Sequence, residues 1–301
     1  MELLQNLCQI HAPAGEEYNV RDFIIDFFTS HENWKQKPEL FYGKGYQDCL
    51  LVKFGTPTKA FMAHMDNIGF TAGYENELIP IGSPAHNDES IIRNEQNQFV
   101  DIYYDNNHKT WVLKNDITLT PGESWSWKPH FTQKENYIET PFLDNRLSIY
   151  TLLKMAPELE NTVLAFSTYE ETPHGGKAAM LARILFEKWQ IDQIIITDIT
   201  WETAYVKTGK GVVVSSRDIG IPRKKFKDHI CKLLTTAGIA YQTEIEKSGG
   251  SDGTSISSSP YPIDWLFIGA PEINPHGYTE KVHMNDIESM IKTYKLLSKK
   301  L

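Results

Sequence analysis

An α/β fold built on one large sheet and interrupted by a small β-rich insertion is predicted by three observations. From about residue 140 onward, short apolar runs alternate with amphipathic stretches of helical period, the pattern of strands separated by helices. Residues 70–135 break that pattern with short β-like pieces (ELIPI, FVDIYY, TWVLK), many Asn, Asp and Gly residues, and Trp111, Trp125 and Trp127. The chain has 301 residues, more than one average domain. Residues 1–69 and 136–301 are therefore read as one discontinuous main domain, and 70–135 as an inserted domain.

The elements follow in order. EEYNVRDFIIDFF (16–28) places Val20, Phe23, Ile24, Phe27 and Phe28 on one helical face. CLLVKF (49–54) and KAFMAH (59–64) are strands joined by a Gly-Thr-Pro turn. After the insert comes helix NRLSIYTLLKM, then strand TVLAFST, helix GKAAMLARILFEKW and strand DQIIITD. Strand GVVVSS, helix RKKFKDHICKLLTTAG, strands AYQTEI and DWLFIG, and helix NDIESMIKTYKLL complete the chain. Asn285 and Glu288 resemble the N-cap and third position of that last helix.

Composition excludes several classes. The chain is 41% hydrophobic and 23% charged, an ordinary globular profile with ample core. A net charge of −9 argues against a nucleic-acid protein. The basic cluster RKKFK (223–227) reads as the solvated face of a helix. Cys8, Cys49 and Cys231 are odd in number, far apart and set among apolar neighbours, so they read as core thiols. The first residues, MELLQNLCQIHAPAGEE, lack the basic start and apolar run of a signal peptide. Nothing approaches the roughly 18 apolar residues that span a membrane, so the expected location is the cytoplasm.

The candidate chemistry lies at strand ends. Glu170-Glu171 follow the apolar run TVLAFSTY, His64 ends KAFMAH, and Asp198 ends QIIITD. Open α/β sheets bind ligands outside the carboxyl ends of their strands. Asp144, in PFLDNR, and His283, in EKVHMND, each precede a helix. Imidazoles and carboxylates without cysteine suit zinc, cobalt or manganese. With Asp144 as a shared bridge, His64 and Asp198 complete one metal site, and Glu171 and His283 complete a second. Paired metals about 3.5–4 Å apart clamp and activate a water, as in aminopeptidases and phosphatases. Glu170, spare as a ligand, is placed to move a proton from that water to a leaving amine. Asp66, two residues past His64, is placed to hydrogen-bond the other ring nitrogen. Each residue also has a plain reading: a hydrogen-bonded loop histidine, an N-cap for Asp144, a turn residue for Asp198. His174, at a helix start, and His276, in a Pro/Gly turn, are read as non-ligating.

AHMDNIGF, PFLDNR, STYEETPHGG, IIITDIT, SGGSDGTSI and YTEKVHMNDIE occur in an order that resembles the co-catalytic metallo-aminopeptidases of the tetrahedral, glutamyl and deblocking group. The opening CQIHAPAGEEYNVRDFI and QDCLLVKFG resemble that group too, so the likeness covers nearly the whole chain and is weakest in the insert. It implies a zinc-exopeptidase (phosphorylase/hydrolase-like) mixed-sheet catalytic domain with a β-barrel-like insert. It also implies two zinc or cobalt ions per chain, with the ligands, base (Glu170) and supporting carboxylate (Asp66) on the residues named above. A cis peptide at Asp144-Asn145 is implied as well. The sequence departs from the pattern at Asn67 and Asn145, which stand where acids are usual, at Thr172-Pro173-His174, and in a short insert. Asp252, in SGGSDGTS, matches a loop near the substrate and is a candidate subsite residue.

The activity expected is removal of N-terminal residues from short peptides, by a homo-oligomer with no nucleic-acid or membrane partner. A related carboxypeptidase or N-acyl amino acid deacylase, and a non-catalytic metal-binding protein, are the alternatives.

Overall fold

The computed structural model describes residues 1–86, 89–173 and 176–301. Among these residues, 11 strands make one mixed sheet. Its centre is four parallel strands lying side by side: Thr162–Ser167, Lys59–His64, Gln193–Trp201 and Asp264–Ile273. Their carboxyl ends share one edge, which is where the candidate residues gather. Leu50–Phe54 and Pro38–Phe41 extend the sheet antiparallel on one side. Lys281–His283, Tyr137–Glu139 and Thr132–Lys134 extend it on the other. Val212–Ser215 and Tyr241–Glu244 branch from Asp264–Ile273.

The central strands are apolar throughout because both faces are covered. Alternation divides their side chains between two cores. Phe61, Ala63, Leu164, Phe166, Ile195 and Leu266 pack against helices Glu2–Cys8, Tyr18–Ser30, Leu143–Met155, Lys224–Thr236 and Met284–Lys300. Ala60, Met62, Val163, Ala165, Ile194 and Ile196 pack against helix Ala178–Trp189. Cys8 and Cys49 are buried and Cys231 half-buried; burial pushes the thiols of Cys8 and Cys49 up to about 12.

Two central strands run further than their sequence suggests. Asp198 and Gly269 look like terminators, yet they face each other in mid-ladder, and the strands continue to Trp201 and Ile273. Pairing overrides local propensity here. The approach is close: a Cβ built on Gly269 would overlap the carbonyl oxygen of Asp198. Gly269→Ala is therefore expected to cost about 1–3 kcal/mol or more, as overpacking does. Urea unfolding measures this; an unchanged midpoint would show that the two strands can part freely.

The second sheet has six strands, in the order Leu78–Ile81, Gly69–Ala72, Ser124–Trp127, Ser90–Arg93, Phe99–Asp105, Thr110–Leu113. Its two edge strands touch, which nearly closes a barrel. Phe70, Trp111, Trp125 and Trp127 fill it, with Phe70 edge-on to Trp111 and Trp127 at 5.1 and 5.3 Å. Thr132–Lys134, within the insert as read from sequence, instead hairpins with Tyr137–Glu139 on the large sheet. No helix among the described residues is long and apolar enough to cross a membrane.

Candidate metal centre

His64 is the last residue of its strand and faces Ser167, the last residue of the neighbouring strand. Two residues later Tyr169 takes a left-handed conformation (φ 61°), and the chain turns to present Glu170 and Glu171. Asp144 enters from the far side of the insert. It sits in a helix start that is not helical (φ −78°, ψ 103°), and its peptide bond to Asn145 is cis, as the resemblance implies.

These pieces converge on Asp144. Its Oδ1 lies 3.1 Å from His64 Nε2, and its Oδ2 lies 3.1 Å from His276 Nε2. Asp198 Oδ1 is 3.6 Å from His64 Nε2, and Glu171 Oε2 is 3.6 Å from His276 Nε2. Among the described residues two donor groups result, His64–Asp144–Asp198 and Asp144–Glu171–His276, with the ligand atoms of each within 4.8 Å of one another. His64, Asp144, Glu171 and Asp198 are all buried.

The structure does not bring His283 to this centre. His283 is the N-cap of helix Met284–Lys300, where its Nδ1 accepts from the Asn285 backbone N–H at 3.1 Å. Its ring packs edge-on against Tyr137. Asn285 is accordingly inside the helix and not its cap. His276 takes the place expected of His283. The parallel strand Asp264–Ile273 ends three residues before it, so a fourth strand end feeds the same edge. Reading that strand as ending at Gly269 hid this relation. His174 lies outside the described residues.

Supporting contacts fix each donor. Asp66, fully buried, accepts from the backbone N–H of Glu170 at 3.1 Å and of Glu171 at 2.9 Å. His64 Nδ1 lies 3.2 Å from the Asp66 backbone carbonyl and 3.5 Å from its carboxylate. Asp66 thus clamps the glutamate turn as well as orienting His64, a role the spacing alone did not suggest. Glu17, also fully buried, accepts from the Tyr169 N–H at 3.0 Å. Glu280 accepts from the Asp144 N–H at 3.3 Å. The two asparagines at unusual positions act as ties. Asn145 Nδ2 donates to the Thr197 carbonyl at 2.9 Å, and Asn67 Oδ1 accepts from buried Arg146 at 2.8 Å. The loop after strand Leu78–Ile81 contributes the Ser83 carbonyl, 3.2 Å from His276 Nδ1. That contact leaves Nε2 facing the carboxylates.

The electrostatics follow from crowding carboxylates away from water. Burial pushes Glu171 up to about 8 and Glu170 well above the usual carboxylate range. Asp198 is raised for the same reason. For Asp144, burial is outweighed by hydrogen bonds from His276 and His64, and its carboxyl is held low. His276 is raised to about 11, because the charges of Glu171 and Asp144 overcome its burial. Such an acidic, imidazole-bearing, sulfur-free donor set fits hard or borderline divalent cations. Glu171 Oε1 is buried and has no hydrogen-bond partner among the described residues, a further oxygen for a cation. Glu170 belongs to neither donor group and is only partly buried. Beside it, Asp252 opens helix Asp252–Ser257 and accepts from Ser167 Oγ, while its Oδ1 has no partner among the described residues; burial raises it to about 7.

The fold and this centre are those of a metal-dependent exopeptidase. The sequence pattern of the M42 glutamyl aminopeptidase family matches residues 79–293, most of the chain, and the chain belongs to that family. It is a metal-dependent aminopeptidase, a hydrolase of peptide bonds. Its fold is similar to solved structures from archaea. A TET aminopeptidase from a marine-sediment Thaumarchaeota archaeon is 16% identical over 100% of this chain and 96% of that one, with a TM-score of 0.86. An aminopeptidase from Desulfurococcus kamchatkensis is 17% identical over 100% and 94%, with a TM-score of 0.84. The TET1 peptidase of Pyrococcus horikoshii, described as assembling into a tetrahedron or a large octahedral shell, is 21% identical over 99% and 98%, with a TM-score of 0.79. No curated protein matches the chain.

Proposed function

We propose that this aminopeptidase works with two divalent cations, zinc or cobalt, bridged by Asp144. His64 and Asp198 hold one; Glu171 and His276 hold the other. The observation that carries this reading is the two-sided use of Asp144, whose two oxygens face two different histidines at the same 3.1 Å. When bound, such a pair polarises a scissile carbonyl and makes water a nucleophile at neutral pH.

The chain's own groups do the rest. Glu170 takes the proton from the attacking water and delivers it to the nitrogen of the leaving amine. Asp66 holds both glutamates by their backbone amides, which keeps the base and its neighbour in fixed register. Substrates are short peptides with a free N-terminus. The carboxypeptidase, deacylase and non-catalytic alternatives have no observation in their favour. The residue 70–135 segment is proposed as an inserted domain of a cytoplasmic homo-oligomer; closed assemblies are the rule among soluble oligomers, and one is described for the Pyrococcus horikoshii protein.

Chelation tests the cation pair. Purified protein is expected to carry about two metals per chain, as the two-metal arrangement requires. A strong chelator should remove them and hydrolysis of an aminoacyl reporter together, and added zinc or cobalt should restore both. Full activity in metal-free protein would sink the proposal.

A further inference from the structure

The inserted domain carries a cavity of ≈ 550 Å³, and one of its lining residues, Gly82, stands beside the metal centre. The segment Gly82–His86 links the two. Gly82 has φ +70°, and a Cβ there would stand 3.1 Å from Glu171 Oε2. The Ser83 carbonyl meets His276 Nδ1 at 3.2 Å, and the Ala85 N–H donates to the His276 carbonyl at 3.0 Å. One residue further on, His86 lies in the cavity and stacks on Tyr104, centroids 3.5 Å apart at 10°. Trp111 stands edge-on to Tyr104 at 5.2 Å. A run of five residues therefore leads from the donor atoms to an aromatic wall.

The geometry points to this cavity as the seat of the substrate beyond the scissile bond: two or three residues on the leaving side, with apolar or aromatic side chains preferred. The inference rests on the aminopeptidase reading and deepens it. Size decides which side of the bond is held. An aminopeptidase has one residue before the bond it cuts, and one side chain underfills a space within the roughly 300–1,000 Å³ of pockets that hold whole small ligands. Chemistry decides the class. The wall offers flat ring faces and edges, and the exposed Glu77 and Lys109 contribute one charge of each sign.

Two variants test it without touching a metal donor. Thr110→Trp, at an exposed strand position lining the cavity, fills the space; Tyr104→Ala removes part of the wall. Each is assayed, fully metal-loaded, with an aminoacyl anilide and with a tetrapeptide sharing its N-terminal residue and carrying Phe next. The ratio of the two kcat/KM values cancels any loss of folded protein. The ratio is expected to fall about tenfold, the scale of one lost aromatic contact. An unchanged ratio in Thr110→Trp overturns the inference, and Tyr104→Ala gives the same reading should the first variant not fold. Wild-type protein that cleaves neither substrate would instead remove the aminopeptidase reading, and the cavity proposal with it.

Discussion

Glu170→Gln is expected to lower kcat by about 10²–10⁴-fold, the usual share of a positioned general base, while metal content and folding stay as in the wild type. The substitution keeps size and leaves the backbone N–H, which binds Asp66, untouched. It removes only the ability to take a proton. Metal content should hold because Glu170 belongs to neither donor group, and every ligand atom of those groups comes from another residue. Stability should not fall, because the carboxylate is there at a cost. Burial raises it, and beyond the relief from His64 the charges of Asp198, Glu171 and Asp252 push it further the same way. A neutral amide escapes that repulsion. The measurements are kcat on a dipeptide, elemental metal analysis and a thermal melt on one preparation. A variant that keeps more than a tenth of wild-type kcat would remove Glu170 as the base. A variant that loses metal would make it a ligand instead, and the division of roles between the adjacent glutamates would need to be reversed.

Much of this centre is legible in the sequence because strand-end chemistry depends on local pattern. His64 ends, and Glu170 and Glu171 follow, apolar runs that read as buried strands, and the edge rule for open α/β sheets then places them together. Asp66 is found by its spacing from His64. The rest depends on pairing between distant segments. Strand Asp264–Ile273 continues past Gly269 because nine residues of it pair with Gln193–Trp201, and no local signal carries that information. With the strand ended too early, His276 looks like part of a remote Pro/Gly turn, and His283, next to a helix, looks the better ligand. Glu17 and Glu280 are hidden for a related reason. They are glutamates in unremarkable contexts whose backbone-amide partners, Tyr169 and Asp144, lie far away in sequence. The aromatic content of the insert is obvious from its tryptophans. That the segment Gly82–Ala85 braces His276 is not, since those contacts are made through backbone carbonyl and amide groups.

The pair His276→Ala and His283→Ala separates the two histidines most sharply. His276→Ala is expected to weaken one cation site well beyond the roughly 10–100-fold loss typical of an outer support, so that about one metal per chain remains and activity is lost with the other. Its imidazole is the one nitrogen donor of its group, between Asp144 Oδ2 at 3.1 Å and Glu171 Oε2 at 3.6 Å. Without it, two carboxylates remain with nothing to fill the third position. His283→Ala should keep both metals and most of the activity. Its loss is that of a cap: one hydrogen bond to the Asn285 N–H and the packing of the ring against Tyr137. N-cap removal costs about 0.5–2 kcal/mol of stability, visible in a urea or thermal midpoint. The two variants thus differ in kind, one losing metal and the other losing stability at constant metal. Calorimetric titration of the metal-free variants with zinc reads the first effect without relying on turnover. If His283→Ala lost a metal and His276→Ala kept both, the ligand set would revert to the one that the sequence motif alone suggests, and Pro275-His276-Gly277 would be no more than a turn held against the insert by the Ser83 carbonyl and the Ala85 amide.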